Sequence, residues 1–283
     1  MLTFLTAFFI FYVFHAQGIT LGYHRILSHK SLTVPKWLEY LIVSGAYLSL
    51  EGAPIFWVTT HRVHHRYSDH DGDPHAPRDG IFHSFGSWMW KPLVIINAEE
   101  SKKLAPDLYR DPVYRFLHLN HSGNDGWLCL FCAVAFRVAI YLFFGPVVLM
   151  ANLLATLVSF MGPLLVNSVG HLPSFGYQTY DCGDSSRNVW FVGLIAMGEG
   201  WHNNHHAFPA SARHGLMWWE FDATWVTISI LRALGLAKDI RLPKSISHLS
   251  QKTLDQVHEF PHTNKGLIYC SPEALKQQKV LVD

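Results

Sequence analysis

The chain has 283 residues, 49% of them hydrophobic and only 15% charged, with a formal net charge of +1. That balance suits a membrane protein better than a soluble enzyme of this length. The near-zero charge, with no basic stripe interleaved with aromatics, sets nucleic-acid binding aside. Four cysteines, with a single C-x-x-C at Cys129 and Cys132 inside an apolar run, build no disulfide framework and read as small buried hydrophobes.

In chain order, Leu2 to Leu21 carries no formal charge. At 1.5 Å per residue it can just cross a hydrocarbon core of about 30 Å. No basic residue precedes Arg25 and no short apolar region with a small-residue cleavage site is present, so the segment is expected to be retained rather than cleaved as a signal peptide. The string HRILSH follows, with His24 and His29 five steps apart. On an α-helix five steps leave two side chains about 140° apart, so the helix is expected to end or bend near Ser28.

Residues 38–58 form a second apolar stretch, interrupted by Glu51, Gly52 and Pro54 and running into HRVHH, with His61, His64 and His65. It reads as an interfacial or re-entrant helix. Just beyond, Asp69 and Asp73 have two readings: part of a solvated turn built on Asp71-Gly72 and Asp73-Pro74, or carboxylates that orient imidazoles.

Residues 126–166 contain Arg137 as their one charge and are long enough to cross a bilayer twice, which predicts a transmembrane hairpin turning at Gly145-Pro146. Arg137 either snorkels or pairs inside the bundle. A third cluster, HNNHH, holds His202, His205 and His206, with Glu199 three residues ahead of it. From His248 the chain turns polar and reads as a cytoplasmic tail, leaving residues 1–247 as one membrane-embedded domain without internal repeats. Of the 22 Lys and Arg residues, 11 precede the hairpin, 10 follow it and none lies at its tip. The positive-inside tendency then puts both hairpin ends and all three clusters on the cytoplasmic side.

With 19 histidines in the chain, composition alone predicts about 0.1 copies of H-x-x-H-H, and two are present. Positions i, i+3 and i+4 share one helical face, where a pair of metals could receive three imidazoles at once. Imidazole ligation does not select among zinc, copper, iron and nickel, but eight histidines exceed what one metal needs. No H-E-x-x-H occurs, which removes the commonest zinc-protease reading. Two E-x-x-H strings, Glu199 with His202 and Glu259 with His262, touch on a carboxylate-bridged di-iron bundle. Pro261 breaks the second, so Glu199 fits better as a carboxylate behind the ligands. The remaining histidines, His15, His70, His75, His83, His118, His121 and His214, read as packing, turn or surface residues. The aromatics at 88–90 and 218–225 suit either an acyl tunnel or a membrane-interface belt.

The order HRILSH, HRVHH with YSDHDGDPH behind it, then EGWHNNHH after an apolar hairpin resembles the membrane fatty-acid desaturases of the delta-9 type over roughly residues 18 to 240. The resemblance implies an all-α integral membrane fold whose cytoplasmic helical cap holds two non-haem Fe2+ ions. It adds Asn167 and His171 from NSVGH, the histidine as ligand and the asparagine through water. By position, one iron would take His24, His29, His61, His65 and His205, and the other His64, His171, His202 and His206, with Asn167 nearby.

The implied reaction uses reduced iron and O2 to remove two hydrogens from adjacent carbons of a saturated C16 or C18 chain, giving a cis alkene and water. Two departures bear on substrate and topology. Animal acyl-CoA enzymes of this type carry Arg-Asp before the second box where this chain has Thr59-Thr60, and the string HNNHH with WWEFDATW fits the bacterial and cyanobacterial acyl-lipid branch. The family also has another membrane helix before the one that ends in ITLGYHR, and Met1 begins inside that later helix, so the start is expected to be truncated or the earlier helix dispensable. Electrons are expected from a separate ferredoxin or cytochrome with its reductase. The rival readings are a di-iron lipid hydroxylase or related oxygenase, and a membrane metal or haem carrier.

Overall fold

The computed structural model describes residues 1–90, 98–118, 126–243 and 268–269. The polar stretch from 248 and His121 otherwise lie outside the described residues. The molecule is mostly helical. Helix α1 (Leu2–Gln17) runs without a break into a π-helical stretch, Gly18–Ser28. Helices α2 (Lys36–Leu48) and α3 (Pro54–Tyr67) follow, then short helical turns, and then α4 (Trp127–Ser168). The cap is closed by α5 (Trp190–Ile195), α6 (His202–Ala207) and α7 (Ala223–Ala233), with a two-residue parallel pairing of Tyr180–Asp181 on Ile268–Tyr269.

The π-helix resolves the spacing of His24 and His29. In an i→i+5 helix the fifth residue on returns to nearly the same face, and the His29 amide donates to the His24 carbonyl at 3.1 Å. The helix ends at Ser28, whose hydroxyl turns back onto the Tyr23 carbonyl at 2.8 Å. An α-helical reading of the spacing could not anticipate this winding.

Residues 38–58 are not one helix. Helix α2 stops at Leu48, the backbone turns with Leu50 and Gly52 at positive φ, and Pro54 opens α3 at a position where its missing N–H costs nothing. Helices α1 and α2 cross at contact distance because Gly18 and Gly45 face each other. A Cβ on Gly18 would lie 2.3 Å from the Ala46 nitrogen, and one on Gly45 2.3 Å from the Phe14 oxygen.

Helix α4 folds back on itself at Gly145, whose φ of 80° and ψ of −179° interrupt it. Arg137 Nη2 donates to Thr156 Oγ1 at 2.8 Å, across 19 residues that would span about 28 Å in a straight helix. Arg137 is thus paired inside the bundle, its other nitrogen reaching the Leu48 carbonyl at the end of α2. His15 sits among the same helices, donating from Nδ1 to the Gly45 carbonyl at 2.9 Å and accepting from Asn152 Nδ2 at 3.0 Å. Two stretches, Leu2–Ser28 and Trp127–His171, are long and apolar enough to cross a membrane. Phe9, Phe131, Leu142, Phe144 and Leu157 stand out from them exposed. This layer, compatible with a membrane protein, carries a polar cap at the ends of α1, α3 and α4.

Candidate metal centre

Nine imidazoles converge in the cap as two sets. His24, His29, His61, His65 and His205 form the first and His64, His171, His202 and His206 the second, the ring nitrogens of each set lying within 4.8 Å of one another. Helix α3 sends His61 and His65, its i and i+4 positions, to the first set and His64 to the second. Helix α6 does the reverse, with His202 and His206 in the second set and His205 in the first. The membership is that implied by the resemblance, and Asn167 lies outside both sets on a cavity wall beside His61 and His202.

The geometry within each set fits a metal ion. His29 Nε2 and His61 Nε2 are 2.7 Å apart, His205 Nε2 lies 2.9 Å from His65 Nε2 and 3.1 Å from His24 Nε2, and His171 Nε2 lies 2.9 Å from His202 Nε2. Nitrogens about 2.0–2.1 Å from one divalent ion and 90° apart are separated by about 2.9 Å. In the second set His64, His171 and His206 give their Nδ1 protons to carboxylates, which leaves lone pairs on Nε2 directed inward. The Nε2 atom of His64 is buried without a hydrogen-bond partner. Converging lone pairs repel one another unless a cation sits between them.

Four carboxylates stand behind the rings. Asp73 Oδ1 accepts from His64 Nδ1 at 3.0 Å, Asp69 Oδ2 from His171 Nδ1 at 3.0 Å, and Asp184 Oδ2 from His206 Nδ1 at 2.6 Å. Glu199 Oε2 lies 2.6 Å from His24 Nδ1 and 3.0 Å from His214 Nδ1, while its Oε1 takes Arg25 at 3.0 Å. Asp69 and Asp73 do belong to a turn, with Asp69 at φ 60° and its amide donating to Asp73 Oδ2, but it is not a solvated one: Asp73 is buried and both carboxylates face histidines. Burial alone would raise these carboxyls. Hydrogen bonding and charge from the facing imidazoles, joined by Arg25 at Glu199, instead hold all four well below the ordinary range. Burial, reinforced by neighbouring imidazoles, keeps His29, His61, His65, His202 and His205 neutral far below their usual titration.

Sequence reasoning missed Asp184, which sits in a loop without a histidine neighbour in the chain. It also placed His75 and His214 with packing, turn and surface residues. Both are buried beside the sets, His75 with its ring 4.3 Å from His64 and pushed down to about 3 by burial and that neighbour, His214 with its ring 4.5 Å from His205. The two asparagines of HNNHH hold the Asp184 loop on α6. Asn203 accepts from the Thr179 and Tyr180 amides and donates to the Tyr180 carbonyl and to Ser186 Oγ, and Asn204 joins Asn188, the His214 carbonyl and Glu220.

Two cavities, of about 510 and 570 Å³ counted out to open solvent, lie beside the histidines and share Trp57, His61, Pro163 and Asn167 as lining residues. The first runs between α1, α4 and α5 past Ala16, Ile19, Val166, Ile195 and Ala196. The second is lined by Glu51, Thr60, His75 and Trp88. Trp57 is held between them, donating from Nε1 to Glu51 Oε2 at 3.0 Å and stacking on His61 at 5.1 Å. Trp88 therefore belongs to a cavity wall, whereas Trp218 is 84% exposed.

A family model described as fatty acid desaturase matches residues 1–233. Among similar curated proteins, a palmitoyl-monogalactosyldiacylglycerol delta-7 desaturase of Arabidopsis thaliana is 42% identical over 84% of this chain, the match covering 62% of that relative's length. An sn-2 palmitoyl-lipid 9-desaturase of a Nostoc strain is 43% identical over 82% of this chain and 79% of its own. An sn-1 stearoyl-lipid 9-desaturase of Anabaena variabilis is 41% identical, over 83% of each.

Proposed function

The chain belongs to the fatty acid desaturase family, and on that premise we propose that it is an oxygen-dependent acyl-lipid desaturase placing a cis double bond, at the delta-9 position, in saturated C16 or C18 chains. The observation that carries this reading is the position of two imidazole sets at the head of an apolar cavity, with His24, His61 and His202 forming part of its wall. Two Fe2+ ions held by the nine histidines, with Asn167 through water, would supply the activation of O2 that removing hydrogen from an unactivated methylene demands.

The protein's own work is positioning. A saturated chain lying along both cavities would bend around Trp57, which lines each of them, and a bend at the reacting carbons favours the cis product. The apolar walls exclude water from the reacting segment. Asp69, Asp73, Asp184 and Glu199 fix which ring nitrogen carries the proton and so keep the ligating nitrogens aimed inward. Thr59 and Thr60 are buried, Thr59 against Ser101, and offer no charge to an acyl-CoA head group. The lipid-desaturase names of several relatives support the same substrate. The apolar helices would cross the bilayer with the cap on the cytoplasmic side, by the distribution of Lys and Arg, where a separate ferredoxin or cytochrome delivers electrons.

Membranes containing the protein, given a reductase system and O2, are expected to convert saturated C16 or C18 chains into cis monoenes, read by gas chromatography of total fatty acids. An unchanged profile from iron-loaded, reduced protein would contradict the assignment. Lipid-class analysis after a short labelled feed separates acyl-lipid from acyl-CoA use.

A further inference from the structure

The two imidazole sets differ in what stands behind them. In the second, three of four rings give an aligned hydrogen bond to a carboxylate, from Asp73, Asp69 and Asp184. Among the described residues of the first set, only His24 faces a carboxylate, Glu199, and that charge is shared with the Arg25 guanidinium and with His214. The Nδ1 atoms of His29, His65 and His205 are buried without a hydrogen-bond partner. The second set is wholly buried, whereas His61 and His65 of the first are half-buried.

The carboxylates of the second set are also tied to one another. Ser185 donates from its amide and its hydroxyl to Asp69 Oδ2, at 2.7 and 2.5 Å, which joins the Asp184 loop to the Asp69–Asp73 turn. Asp69 in turn donates its amide to Asp73 Oδ2 at 2.8 Å. The belt spans three of the four rings and is braced by contacts that involve no metal. Anions one imidazole away offset the charge of a divalent ion, and a ring whose outer nitrogen donates to a carboxylate is the more basic ligand.

We propose that the two centres are unequal and fill in a fixed order, the second set before the first and with the tighter hold. This rests on reading both sets as metal centres but not on the reaction they perform. Beyond His24 at Glu199 and His61 stacked on Trp57, the rings of the first set lack comparable anchoring, so the ion itself fixes more of their orientation.

Protein in detergent micelles, stripped with a chelator and titrated anaerobically with Co2+, tests this by visible absorption and calorimetry. Two steps of one equivalent each are expected, at least tenfold apart in dissociation constant. His202→Ala removes the tight step and leaves the weak one, and His29→Ala does the reverse. Asp184→Asn, which keeps the side chain's shape, weakens the tight step about 10- to 100-fold. The step that survives in each variant reports that it is folded; should Asp184→Asn lose both, Asp69→Asn carries the same expectation. One unresolved step of two equivalents, or loss of the tight step in His29→Ala instead of His202→Ala, overturns the order. Cis-monoene formation by an iron-loaded sample of the same protein distinguishes the two failures: product alongside one-step loading sinks the order and keeps the enzyme.

Discussion

The apolar helical layer and the histidine cap solve the same problem of holding helices together by different means. In the layer, α1, α2 and α4 meet through small residues at close approach, as at Gly18 and Gly45, with two polar pins, His15–Asn152 and Arg137–Thr156. In the cap the histidines and the carboxylates behind them are joined by specific polar pairs, and several side chains serve two partners at once. Packing tolerates substitution of comparable volume. A buried polar network does not, because removing one member strands another in a place water cannot reach.

The largest effect expected from breaking the cap is loss of function: His64→Ala or His202→Ala should abolish cis-monoene formation, measured by gas chromatography, while protein level in the membrane is retained. Next is Arg25→Met. Arg25 is fully buried and binds Glu199, Asp222 and the Ala212 carbonyl. Its removal leaves two buried carboxylates without their cation, at a cost of about 3–5 kcal/mol, read from denaturant unfolding of the apoprotein. In the layer, Gly45→Ala forces a methyl against the Phe14 carbonyl and should cost about 1–3 kcal/mol by the same measurement. Asn203→Ala is expected to cost about 1–3 kcal/mol by leaving the Thr179 and Tyr180 amides unpaired. It should also speed hydrogen exchange in the Asp184 loop, which Gly45→Ala leaves unchanged.

A further test separates the regions by pH. Burial holds His61, His65, His202 and His205 neutral well below the ordinary imidazole value of about 6.5. In metal-free protein the unfolded chain therefore takes up protons that the folded cap refuses. Stability is complete above about pH 6.5 and declines as pH falls below it. A melting temperature for the apoprotein unchanged between pH 8 and 5 would contradict this.

Much of this molecule was legible because its signals are periodic or local. An uncharged run of helical length, a Gly-Pro turn at the midpoint of an apolar stretch, and imidazoles at i, i+3 and i+4 each declare themselves within a few residues, so the long helices, the hairpin and the three clusters followed from the chain alone. The π-helical winding at Gly18–Ser28 did not, since it departs from the repeat on which such reading depends. Nor did the break of residues 38–58 into two helices, although Gly52 and Pro54 mark the place.

What only the folded structure decided is which distant groups meet. Asp184 comes to His206 across 22 residues, Asp69 to His171 across 102 and His214 to Glu199 across a turn of the cap. Hydrophobic periodicity reports how one segment faces the core. It carries no record of partners brought together by loops, and the support of the imidazoles depends on those partners.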